Sequence, residues 1–176
     1  GFKYDAGPTI ITAPFLFKEL FSMHNRKLEN YITLKPLNIW YRFVYSDGSY
    51  FDYEKSLENT ISNMKKISEI DSQNYTKLLE KSKNIYDLAF CKLADKPFHN
   101  LSTMIKQIPF LLQFRSYESV YKFTSKYLKS EKLRRAFSIQ PLLVGGNPFD
   151  TTCIYSLIHY LERAHGVYFA MGGTGN

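Results

Sequence analysis

Ile39-Trp40-Tyr41-Arg42-Phe43-Val44-Tyr45, Ser46-Asp47-Gly48-Ser49 and Tyr50-Phe51-Asp52-Tyr53 follow one another in the chain, and their reading decides the fold. Both outer runs are dense in aromatic and β-branched residues, which suit a pleated, half-buried surface. Asp-Gly between two such runs supplies the positive φ that hairpin turns favour. The stretch therefore predicts a β-hairpin. Directly after Tyr53 the apolar spacing changes from two to about 3.6 residues, which is the helical period.

Helices are expected from there onward. Leu57, Ile61, Met64 and Ile67 mark one face. Asp71 is placed to cap a second helix, whose apolar side carries Tyr75, Leu78, Leu79, Ile85, Ala89 and Leu93 until Pro97 ends it. A short helix over 101–108 breaks near Pro109. Ser116 is placed to cap a helix with Val120, Phe123, Tyr127 and Leu128, and Ser130 one running through Leu133, Phe137 and Leu142. Asp150 opens the last, with Ile154, Leu157, Ile158 and Leu161, and Gly166 stops it. Upstream of the hairpin, 1–12 reads as a strand entering a turn, Pro14 opens a short helix to Ser22, and 31–34 reads as a short strand.

This is an α+β organisation: a small strand-containing part over 1–53, a mainly helical part over 54–166, and a return segment over 167–176. The 176 residues suffice for a core without staples, and an apolar fraction of 44% argues against disorder. Cys91 and Cys153 lie far apart and form no framework, which favours a reducing compartment. The longest apolar runs fall well short of the ~20 residues that span a bilayer. The chain opens on Gly1 and stops in Gly172-Gly173-Thr174-Gly175-Asn176, and it reads as an interior fragment of a longer protein.

The net charge of +7 is concentrated. From Leu101 to Arg135 there are eight cations and two acids, interleaved with Phe110, Phe114, Tyr117, Tyr121, Phe123 and Tyr127. Such a pattern suits an anionic membrane surface, a solvated helix face over an ordinary core, or, less favoured, a nucleic acid. His159, Glu162 and His165 have a superficial ligand spacing that converges poorly, so no metal site is expected. His165 and Arg163 read instead as partners of a helix C-terminal dipole. Both cysteines read as small buried hydrophobes. No P-loop, G-x-S-x-G or G-x-G-x-x-G is present.

Gly1-Phe2-Lys3-Tyr4-Asp5-Ala6-Gly7-Pro8-Thr9 resembles the segment that follows the dinucleotide-binding portion of carotenoid desaturases. Leu142-Leu143-Val144-Gly145-Gly146-Asn147-Pro148-Phe149, with Ile154-Tyr155, Leu157-Ile158-His159, Leu161-Glu162-Arg163 and Gly172-Gly173-Thr174-Gly175, resembles the middle of the bacterial phytoene desaturase family. Tyr41-Arg42, Asp47-Gly48, Phe51-Asp52-Tyr53, Lys92-Leu93 and Ser119-Val120-Tyr121 keep the same order, so the resemblance covers essentially the whole chain.

The resemblance implies part of an FAD-dependent flavin oxidoreductase of Rossmann type, cytoplasmic and peripherally membrane-associated. Its substrate would be phytoene or a related apolar polyene, losing a hydride to flavin and a proton from the adjacent carbon. It places Asp5, Gly7, Pro8, Thr9, Gly172, Gly173 and Thr174 near the cofactor, and Gly145, Gly146, Asn147 and Pro148 near the substrate channel. It also gives the region from Leu101 to Arg135 a role as the membrane-facing surface. One departure stands out. An Arg-Asp pair frequent in the family after the Pro97-Phe98 equivalent is replaced here by Ser102 and Thr103, and a neutral threonine is a poor proton acceptor. The catalytic group therefore stays unassigned. The competing expectation is a non-enzymatic basic module for membrane or nucleic acid.

Overall fold

The computed structural model describes residues 9–91, 105, 108–109, 111–112 and 115–173. The expected helix over 101–108, Leu93, Pro97, Ser102 and Thr103 lie largely or wholly outside them.

The hairpin forms where expected. Strand β3 (Ile39–Val44) pairs antiparallel with β4 (Tyr50–Glu54), in a register running from Ile39 opposite Glu54 to Val44 opposite Tyr50. Its turn is longer than a two-residue one. Tyr45 and Ser49 close it, only Gly48 takes a positive φ (78°), and the Asp47 carboxylate accepts from the Ser49 N–H instead of bending its own backbone.

A second sheet has the order β1-β5-β2, built from β1 (Ile10–Ile11), β2 (Leu34–Pro36) and β5 (Tyr168–Ala170), all antiparallel. The strand expected over 31–34 thus begins at Leu34, and a 3-10 turn at Leu28–Asn30 precedes it. Helix α1 (Pro14–Ser22) starts at its proline, as the sequence indicates.

Between Glu54 and Gly166 the helices include α2 (Leu57–Lys65), α3 (Glu69–Ile85), α4 (Val120–Ser125), α5 (Glu131–Ala136) and α6 (Leu157–His165), and residues 105, 108–109 and 111–112 are also helical. Several caps fall elsewhere than expected. Ser68, not Asp71, caps α3, and Ser119, not Ser116, caps α4. Thr152, not Asp150, caps the 3-10 turn Cys153–Ser156 that leads into α6. Asp71 is fully buried and accepts the N–H groups of Lys129 and Ser130, each at 2.7 Å. It therefore clasps the approach to α5 rather than its own helix end. Ser130 precedes α5 but makes no side-chain cap bond. Leu142 is exposed on a 3-10 turn (Gln140–Val144) instead of continuing α5.

One core joins hairpin and helices. Trp40, Phe51 and Tyr53 pack with Met64, Tyr75, Leu78, Ile85, Leu133 and Phe137. Phe137 is its hub, with ring centroids 5.0–5.6 Å from Tyr75, Tyr53, His159 and Phe51. Edge and tilted ring packing of this kind adds to area burial. The hairpin, grouped in sequence with the first strands, thus shares its core with the helical part. Gly166, at φ 81°, ends α6, and the chain returns to the β1-β5-β2 sheet beside its point of departure, where the Leu37 N–H meets the Val167 carbonyl at 2.9 Å.

Candidate functional site

Of the residues expected near a cofactor, Thr9, Gly172 and Gly173 lie at one end of the β1-β5-β2 sheet. The Ala170 N–H donates to the Thr9 carbonyl at 2.9 Å, and the Met171 N–H to the Thr33 carbonyl at 2.9 Å. Gly172 and Gly173 follow at once with φ of 85° and 80°. Two successive left-handed residues favour glycine strongly, and neither carries a Cβ. Thr9, Gly172 and Gly173 are therefore brought together, although over 160 residues separate Thr9 from the glycines. Asp5, Gly7, Pro8 and Thr174 lie outside the described residues. A cavity of about 290 Å³ lies between α1, the Leu28–Asn30 turn and this sheet, lined by Pro14, Lys18, Leu28, Glu29, Leu34 and Tyr168 among others, and Thr9, Gly172 and Gly173 do not line it.

The residues expected near a substrate divide. A groove of about 780 Å³ runs between the hairpin and the segment after α5, lined by Phe43, Val44, Tyr45, Ala136, Ile139, Leu142, Pro148 and Phe149, with Tyr121 and the cations Arg42, Lys132 and Arg135. This size and apolar character fall within the range of small-molecule sites. Pro148 lines it; Gly145, Gly146 and Asn147 shape the loop behind it. Gly145 turns left-handed (φ 71°). A Cβ on Gly146 would sit 2.6 Å from the Thr151 Oγ1 and 3.2 Å from the Pro141 carbonyl. The close approach that this glycine permits is thus to the protein itself.

The inward face of α6 is polar where the apolar spacing predicted Ile154, Leu157 and Ile158, which are only half-buried. Ser156, His159 and Glu162 are buried instead, one turn apart. The His159 imidazole lies 3.0 Å from the Gln140 amide and 2.8 Å from the Phe137 carbonyl, and burial pulls its pKa down to about 4. Glu162 accepts from the Tyr41 hydroxyl at 2.7 Å, and its Oε2 has no partner among the described residues. Burial pushes this carboxyl up to about 7, against the opposing pull of Tyr41 and Arg163. Sequence reading weighs Glu162 only in a ligand spacing with His159 and His165, rejects that spacing, and gives the residue no other role. No group of three metal-binding side chains occurs among the described residues. His165 meets the Tyr86 hydroxyl at 2.9 Å.

Arg163 stands in the last turn of α6, as expected, but it also joins other elements. Its guanidinium reaches the carbonyls of Glu54 and Lys55, the Thr60 hydroxyl at 2.7 Å and the Tyr75 hydroxyl at 3.2 Å, and it lies over the rings of Trp40 and Tyr53 at 4.7 and 4.5 Å. Cys153 is buried as expected, but Cys91 is exposed.

Among the cations of the region from Leu101 to Arg135, several are engaged. Lys126 pairs with the buried Glu118, Lys132 with Asp47, and Arg134 and Arg135 with Glu131. Charge reversal is therefore expected to split by position. Lys126→Glu, which sets a second carboxylate against buried Glu118, costs about 2 kcal/mol. Lys122→Glu and Lys129→Glu stay within about 0.5 kcal/mol of the parent. Urea titrations of the three variants check this, and equal midpoints would refute it.

No family model matches the chain. It is 38% identical over 175 residues to the lycopene-forming phytoene desaturase of Pantoea ananas, covering 99% of this chain and 36% of that protein. The lycopene-forming phytoene desaturase of a Paracoccus species is 38% identical over 174 residues, and the neurosporene-forming enzyme of Cereibacter sphaeroides 34% over 174. The chain spans about a third of the length of these curated relatives. Along 99% of its length the chain is thus similar, at 34–38% identity, to one portion of bacterial phytoene desaturases.

Proposed function

We propose that this chain is the substrate-side part of an FAD-dependent desaturase that dehydrogenates phytoene or a related apolar polyene in carotenoid biosynthesis. The observation that carries the reading is its 38% identity to lycopene-forming phytoene desaturases along nearly its whole length. The apolar groove supports it, because a hydrocarbon without polar handles is held by shape and burial alone.

In this reading Pro148 and Phe149 contact the polyene, and Gly145, Gly146 and Asn147 fix the loop that carries them. Thr9, Gly172 and Gly173 fit the cofactor as a backbone platform, where paired left-handed glycines admit a ring or phosphate without a Cβ in the way. Asp5, Gly7, Pro8 and Thr174 are assigned to the cofactor by the family resemblance alone. When bound, the flavin supplies the hydride acceptor. The chain's own residues orient the polyene and exclude water. The Rossmann-type nucleotide fold would pack against the open end of the β1-β5-β2 sheet.

The region from Leu101 to Arg135 would meet a membrane surface, giving a cytoplasmic, peripherally attached enzyme; no helix among the described residues is long and apolar enough to cross a membrane. The competing non-enzymatic module has no such support, since the relatives reported above carry enzyme names. Expression of the full polypeptide in a phytoene-accumulating host tests the reading. Phytoene is expected to fall as longer conjugated products absorbing visible light accumulate. Unchanged phytoene in cells holding the folded protein would overturn it.

A further inference from the structure

The groove between the hairpin and α5 is bridged at the hairpin turn. The Lys132 ammonium, on α5, pairs with the Asp47 carboxylate and donates to the Ser49 hydroxyl at 2.8 Å. The Ser49 hydroxyl in turn donates to Asp47 at 2.7 Å, so the three side chains close on one another. Lys132 also lies 5.1 Å from the centre of the Tyr45 ring, and the Tyr45 hydroxyl donates to the Lys132 carbonyl at 2.9 Å. Two other cations of the groove pair within their own wall, Arg42 with Asp52 of the hairpin and Arg135 with Glu131 of α5. Lys132 instead joins one wall to the other. Tyr45, Ser46 and Lys132 line the groove, whereas Asp47 and Ser49 do not, so the bridge stands at its edge.

The hairpin is buried at its base and exposed at its tip. Trp40, Phe51 and Tyr53 belong to the core, but Val44 and Tyr50, beside the turn, are exposed. A Cβ on Gly48 would meet nothing within 4 Å, so the turn has open space around it there. Lys132 and Asp47 keep 35% and 56% of their side chains in solvent. Water screens a pair this exposed and leaves it a small net worth, so the bridge parts and reforms without cost to the buried base.

We propose that the hairpin turn is a strap over the groove, latched to α5 by Lys132 on Asp47 and Ser49, and that a long apolar chain enters and leaves when the latch parts. The latch governs passage, not grip, because a chain seated in the groove lies against its lining and not against Asp47 or Ser49. That the occupant is an apolar chain rests on the desaturase reading.

Stopped-flow binding of diphenylhexatriene, a neutral linear polyene that fluoresces in apolar surroundings, to the full polypeptide tests this. The variant carrying Asp47→Ala and Ser49→Ala is expected to take up and to release the probe about threefold faster than the parent, with Kd within about twofold. Lys132→Met, which leaves the turn's own residues in place, gives a similar acceleration, and adding it to the alanine variant gives no further gain. Sodium chloride at about 1 M speeds the parent and leaves these variants unchanged. Ile139→Glu, in the groove wall, weakens the probe at least about tenfold.

Unchanged rates in the latch variants would overturn the proposal. So would faster release alone with a weakened Kd, which makes the bridge part of the grip. A parent that takes up no probe, or a Kd unmoved by Ile139→Glu, would overturn it as well, since the groove then holds no apolar chain. Failure of the desaturase reading is separate: phytoene would persist in the expressing host while the probe kinetics still reported the latch.

Discussion

Arg163→Met is expected to lower the free energy of unfolding by about 4 kcal/mol, read as a shift in the urea midpoint. The guanidinium is the joint between three elements. From α6 it reaches the end of β4 at the Glu54 and Lys55 carbonyls, α2 through Thr60, and α3 through Tyr75. Hydrogen bonds to a charged donor are worth about twice neutral ones, and each acceptor left behind keeps its desolvation cost. Arg163 makes no ion pair among the described residues, so no carboxylate is released to water in compensation. Ring contacts with Trp40 and Tyr53 are lost as well. Arg163→Lys recovers less than half of the loss, because a single ammonium cannot reproduce a planar fork facing several oxygens. Full recovery by lysine would show that charge alone matters at this joint.

The second large effect is a change in how stability depends on pH. Burial raises the folded pKa of Glu162 from 4.5 to about 7, so its contribution is complete below about 4.5 and lost as pH rises through about 7. Burial lowers that of His159 from 6.5 to about 4, so its contribution is complete above about 6.5 and lost as pH falls through about 4. Each titration is worth on the order of 3 kcal/mol. Their slopes are opposite and their windows overlap, so in the parent they largely cancel. Glu162→Gln removes one of the pair while keeping an acceptor for Tyr41. Stability of this variant is expected to climb by roughly 3 kcal/mol between about pH 4 and 6.5, and to exceed the parent's at about pH 8. Urea titrations across that range check it; parallel curves for parent and variant would show that Glu162 is not the compensating group.

The hairpin and α2 were legible because their signals are local. Asp47-Gly48 fixes the reversal, and Leu57, Ile61 and Met64 fall on one face of a helix whose cap, Ser56, is its sequence neighbour, with Ile67 just past its end. The caps of α3 and α4 were misplaced by three residues each. Ser68 and Asp71 stand one turn apart, as do Ser116 and Ser119, and short polar residues at that interval suit a helix start equally well. What separates the two candidates for α3 is remote: Asp71 is taken by amides 58 and 59 residues downstream. The inward polar stripe of α6 escaped for the same reason, since Gln140, Phe137 and Tyr41, which make His159 and Glu162 tolerable inside, belong to other elements. Of the candidate site, the glycines were singled out by sequence alone. That Thr9 lies beside Ala170 is a matter of strand pairing, which no local pattern encodes.

Leu37 and Val167 are hydrogen-bonded neighbours, although the hairpin and every helix from α2 to α6 lie between them in sequence. The helical body is therefore a cassette, with its exit and return at one spot on the β1-β5-β2 sheet. A short linker from Leu37 to Val167 closes the sheet without spanning a distance, and a different body can be received at the same two residues. Drift in the groove's length or lining then leaves Thr9, Gly172 and Gly173 where they are, so the groove can diversify while the sheet end stays fixed.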